Sequence, residues 1–178
     1  MKSLVLSILL TTCLSLAACQ SAKEKSIQQI KNAEKELFSQ KNKEVNVELA
    51  SNLIKAYILF ADQQPTDSLS AGYVYKAAEI SDGIGDGESA IKYYQRVIDT
   101  YPNYHKAAQC LMLQGFVAET TLHNKDLALK YYSDFIIKYP NHLLTKSVQA
   151  SVVNLSTTVN DIDLIRKFEQ QNNSNPKQ

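Results

Sequence analysis

Tryptophan is absent from this chain of 178 residues, glycine occurs only five times, and runs of β-branched residues are few. Those shortages argue against a sheet-rich fold and favour helix throughout. An excess of either charge is also lacking, with 19 Lys and Arg against 18 Asp and Glu. So balanced a chain offers no basic face for nucleic acid. Cysteine is scarce, at 13, 19 and 110 only, with no Cys-x-x-Cys pair or other zinc-ligand spacing. His105, His123 and His142 form no His-x-x-x-His pair and have no acidic partner at ligand spacing. No serine elbow or cysteine–histidine arrangement for nucleophilic catalysis is present, so the chain reads as neither an enzyme nor a metal or cofactor protein.

What is present begins with a leader. Lys2 is a short positive start, and Leu4 to Leu10 is an apolar run far below the ~20 residues that span a bilayer. Leu16-Ala17-Ala18-Cys19 follows. This resembles the bacterial lipobox, a Leu and two small residues before a Cys. The resemblance implies a signal peptide over 1–18, cleavage before Cys19, diacylation of the Cys19 sulfur, and a lipid-anchored chain. Gln20 after the Cys, by the same resemblance, points to the outer membrane facing the periplasm. Removal of Lys2 with the leader leaves 18 basic against 18 acidic residues. Cys110 is then the one free thiol, so no internal disulfide can form. Between Ala107 and Leu111 it reads as a small core residue. Residues 19–25 are expected to be a polar tether, 26–171 the folded domain, and 172–178 a disordered tail.

Three blocks are versions of one another and end in proline: Leu53–Pro65, Ala90–Pro102 and Ala128–Pro140. The prolines stand 37 and 38 residues apart, a period typical of stacked helical repeats. Counting back from each proline gives Leu53, Ala90 and Ala128 at minus 12, and Ile54, Ile91 and Leu129 at minus 11. Tyr57, Tyr94 and Tyr132 stand at minus 8, and Phe60, Val97 and Phe135 at minus 5. These spacings form one apolar stripe on a helix. Lys55, Lys92 and Lys130 share minus 10 and face outward. Proline ends each block because it cannot extend the helix that it follows.

The remaining periodicity predicts eight helices in four antiparallel pairs. Their approximate spans are 27–37, 45–61, 68–81 and 88–100, then a helix capped by Asn103 and running to 121, a helix capped by Asn124 that carries the third block, and 142–157 and 161–171. Asn103, Asn124, Asn141 and Asn160 or Asp161 are candidate helix caps. Asp82-Gly-Ile-Gly-Asp-Gly87 is expected to be a turn. It follows a helix, lacks the Gly-Lys-Ser/Thr of a phosphate loop, and has Tyr93 where a calcium loop needs Glu.

Ala90, Tyr94 and Pro102, and again Ala128, Tyr132 and Pro140, resemble the second helix of the tetratricopeptide repeat (TPR). Ala77-Ala78 fits its first helix, and Gly115 fits the next unit one residue out of register. The period exceeds the family's 34 by about one helical turn. The resemblance covers roughly residues 45–158 and implies an all-α fold, an α-solenoid of about four helix pairs. With the lipobox, the repeat style resembles bacterial envelope lipoproteins, namely the β-barrel-assembly lipoprotein and the Tol–Pal-associated repeat protein families. It implies a lipid-anchored scaffold or adaptor in the cell envelope that binds a protein or peptide segment, with outer-membrane assembly or maintenance as the role the resemblance suggests. The alternative is a self-assembling structural lipoprotein, and less favoured still is a small-ligand binder or enzyme. In such arrays the first helix of each unit lines the binding face. The implied groove residues are Tyr75 and Glu79 in one unit, and Met112, Phe116 and Glu119 in the next.

Overall fold

The computed structural model describes residues 22–39, 45–156 and 170. The leader, Cys19, the tail 172–178 and, apart from helical Gln170, the helix expected over 161–171 lie outside them. The described residues contain helices and no strand. Helix α1 covers residues 22–38. The others are α2 (Val47–Gln63), α3 (Ser70–Gly83), α4 (Gly87–Thr100), α5 (Ala107–Thr120), α6 (Lys125–Lys138) and α7 (Thr145–Leu155). Residues 22–25, expected within the tether, are already helical. Ala, Lys and Glu are strong helix formers, and polarity alone did not keep them extended.

The helices build two compact units, residues 1–73 and 74–178. In the first unit Ile30 and Leu37 of α1 are buried, as are Leu53, Tyr57 and Phe60 of α2. The Tyr57 hydroxyl donates to Glu34 Oε1 at 2.6 Å. The Tyr57 and Phe60 rings pack on Tyr73 at centroid distances of 5.1 and 5.0 Å. Lys23 pairs with Asp67 and, together with the Leu69 amide, holds that carboxyl below its usual range.

In the second unit α4 packs on α5, α5 on α6, and α6 on α7. The stripe read from the sequence is the core: Ala90, Tyr94, Val97, Ala128, Leu129, Tyr132 and Phe135 are all buried. Lys92 and Lys130 point out, as Lys55 does in the first unit.

The second helix of each pair is capped alike. Asn46, Asp86 and Asn124 accept from the backbone amides of Leu49, Ser89 and Leu127 at 3.0–3.1 Å. Each cap satisfies an amide that the helix itself cannot.

The turn at each proline is also copied. Gln64, Tyr101 and Tyr139 amides close onto Phe60, Val97 and Phe135 carbonyls at 2.8–3.0 Å. Asp67, Tyr104 and His142 amides then bond Gln64, Tyr101 and Tyr139, and Ser70, Ala107 and Thr145 amides bond Asp67, Tyr104 and His142. This corrects two expectations. Asn103 and Asn141 cap nothing, because the chain makes two successive turns after each proline before α5 and α7 begin at Ala107 and Thr145.

The difference between spacings of 37 and 38 also has a location. The α3–α4 loop is Ile84–Asp86, and the α5–α6 loop is Thr121–Asn124, one residue more. Both close with the same kind of bond, Asp86 amide to Ser81 carbonyl and Asn124 amide to Ala118 carbonyl, each 2.8 Å. Gly85 takes the left-handed conformation in the first loop and His123 in the second. The inserted residue explains why Gly115 is one place out of register with the helix after it.

Candidate functional site

α3 and α5 are both 14 residues long, so positions on them correspond one to one. Tyr75 matches Met112, Glu79 matches Phe116, and Asp82 matches Glu119. Tyr75 and Glu79 therefore occupy the same positions on α3 as Met112 and Phe116 do on α5, while Asp82, the counterpart of Glu119, was not among the expected groove residues.

On α5, residues 107, 110, 111, 114, 115, 117 and 118 are buried. They occupy both flanks because α4 packs on one side and α6 on the other. One strip is left open, and Phe116 stands on it at 45% exposure. Met112 is on the same strip one turn earlier, half-buried against the core of α6 and α7.

Glu119 is near them but engaged, since its Oε2 accepts from the Tyr132 hydroxyl at 2.8 Å. The Tyr132 ring packs directly against Gly115, where a Cβ would stand 2.5 Å from ring carbons. The ring, the glycine and the carboxylate form one assembly, which fixes Glu119 beside the open strip.

Tyr75 is not on an open face. It is 3% exposed, with its ring centroid 5.7 Å from Tyr94 and 6.1 Å from Tyr104. Lys106 Nζ stands 4.2 Å above that ring, a cation–π contact. Tyr104 and Lys106 come from the turn that follows Pro102, which folds over α3. The Tyr75 phenol pKa is pushed well up by burial and then by the Glu79 carboxylate, to which its hydroxyl bonds. Glu79 itself is exposed. Of the five candidates, Phe116 and Glu79 are exposed, Met112 is half-buried beside Phe116, Glu119 is bonded to Tyr132, and Tyr75 is core.

Two polar residues were missed. Asp82 Oδ1 accepts from Thr121 Oγ1 at 2.5 Å, tying the end of α3 to the α5–α6 loop. Gln114 is fully buried where α5 meets α4; its Nε2 donates to the Ile91 carbonyl and to Gln95 Oε1, each at 3.1 Å. A Gln between Leu113 and Gly115 in an apolar helix was the available signal.

Cys110 is buried, and burial pushes its thiol up to about 12, so it is a packing residue and not a nucleophile. Among the described residues no group of three or more His, Cys, Asp or Glu could hold a metal. No described helix is long and apolar enough to cross a membrane.

Residues 71–104 match the family model of the tetratricopeptide repeat. The match begins one residue into α3 and ends within the turn after Pro102. The residues by which this unit exceeds 34 therefore fall at the close of that turn. The fold class expected from sequence, an all-α solenoid of TPR-like helix pairs, is the one observed. No curated protein matches the chain.

Proposed function

We propose that this chain is a lipid-anchored adaptor of the bacterial cell envelope that holds a protein segment on the strip of Phe116 and Met112, with Glu79 at its edge. The observation that carries the binding site is Phe116. A large aromatic ring stands 45% exposed on a helix whose other flanks are buried. Aromatic anchors of this kind dominate protein interfaces. The tetratricopeptide match over 71–104 supports a scaffold for protein–protein contact. The partner is an extended or helical segment with an apolar anchor, and Glu79 favours a basic residue beside it. No catalytic step is assigned.

Partner capture by the full chain, from detergent extracts of the source cells, tests the site. Phe116→Ala is expected to weaken capture by about thirtyfold or more, the loss of a hot-spot aromatic, without lowering thermal stability. Undiminished capture by this variant would remove the face from consideration.

The anchor rests on Leu16-Ala17-Ala18-Cys19. Cys19→Ala is expected to abolish incorporation of labelled fatty acid, and persistent labelling would refute the lipobox. The outer membrane as destination rests on Gln20 alone.

A further inference from the structure

The second helices α4 and α6 wall a groove of about 410 Å³, floored by Leu111 of α5. It lies apart from the Phe116 strip, on the helices that the proposed function leaves unused. Ile98 and Asp99 stand on the α4 wall; Tyr131, Ile137 and Lys138 stand on the α6 wall. Ile137 is 55% exposed above the apolar floor.

Lys130 and Asp134, also on the α6 wall, satisfy each other in an ion pair of 2.9 Å. Two exposed charges of opposite sign are then left at one end of the groove. Asp99 is next to last in α4, and Lys138 is last in α6. Asp99 accepts from the neutral Gln95 amide at 2.8 Å. Lys138 Nζ has the Tyr139 ring at 5.6 Å.

Acid on one wall and base on the other, at the same level, make this groove complementary to itself. We propose that a second copy of this chain docks here, related by a two-fold axis running along the groove. Such an axis exchanges the walls. Asp99 of each copy then faces Lys138 of the other, and Ile137 of each lies against Ile98 of the other. A foreign segment would need an acid and a base in matching places, whereas a second copy supplies both.

Sedimentation of the full chain in mild detergent tests this. The wild-type chain is expected to form dimers. Asp99→Lys alone and Lys138→Glu alone each set like charges opposite one another and are expected to weaken dimerisation at least about tenfold. An equimolar mixture of these two variants is expected to recover it, because in the mixed pair both contacts join opposite charges. Ile137→Asp is expected to abolish it, with helix content unchanged by circular dichroism. A wild-type chain that stays monomeric overturns the proposal. So does a dimer that both charge reversals leave intact, or two weakened variants that fail to rescue each other.

Discussion

Tyr132→Ala is expected to lower the stability of the chain by about 3–5 kcal/mol, the cost of removing a buried aromatic side chain. The ring is 3% exposed, lies on Gly115, and belongs to the core shared by α5, α6 and α7. Gly115, on which the ring rests, has no side chain to move into the gap. Tyr132→Phe keeps the ring and loses only the hydroxyl bond to Glu119. That variant is expected to cost about 1 kcal/mol. Urea unfolding of the two variants beside the wild type separates packing from hydrogen bonding. A loss below about half a kcal/mol in the alanine variant would show that the ring is not part of the core, since surface changes fall in that range.

Stability is also expected to fall steeply in alkali. Burial pushes the phenol pKa values of Tyr75, Tyr94 and Tyr132 well up. Nearby phenols and carboxylates add to the effect, with Tyr75 and Glu79 acting on Tyr94, and Glu79 and Glu119 on their bonded partners. Below about pH 9 folded and unfolded chains hold these protons alike, and stability does not depend on them. Cys110 ionises first in the unfolded chain, near its ordinary value of 9.0, while the folded thiol waits until about 12. Above pH 10 the unfolded phenols also release protons that the folded ones keep, and the unfolded state is favoured. Each such group removes about 1.4 kcal/mol per pH unit. Three phenols together approach about 4, less where solvent still screens a hydroxyl. Urea midpoints between pH 8 and 11 check this: Tyr94→Phe is expected to flatten the slope by about one group's share, and an unchanged slope would reject the argument.

The Pro-terminated blocks made most of the fold readable. Their apolar stripe needs only the period of a helix, and the residues it named at 57, 60, 94, 97, 132 and 135 are all core. Asn103 and Asn141 misled because a cap residue after proline looks the same whether the helix starts at once or two turns of backbone later. Gly115 fell out of register because the extra residue sits in the α5–α6 loop, where nothing in the sequence pattern marks it. The exposure of Phe116 was legible from its place in the unit, but the burial of Tyr75 was not. Helical spacing puts Tyr75 on an open face; the cover comes from Tyr104 and Lys106, about thirty residues on, and local periodicity does not reach that far. The groove between α4 and α6 was missed for a similar reason. It is made by two helices that are not neighbours in the chain, over a floor supplied by the helix between them.

The order in which helices touch has a consequence for synthesis. From α5 to α7 each helix packs on the one just before it, and every proline turn is closed by bonds between residues three or four apart. Among the described residues α5, α6 and α7 each have their packing partner in the helix made just before, and closing such short loops costs little entropy. A ribosome or a translocation channel releases a chain from its N-terminus onward, and this order lets α4, α5, α6 and α7 add in turn as they emerge. Tyr75 waits for the turn after Pro102, whereas the α4, α5 and α6 stripes meet a partner as the next helix emerges. That is a short window for aggregation in a polypeptide whose core is built from separate stripes.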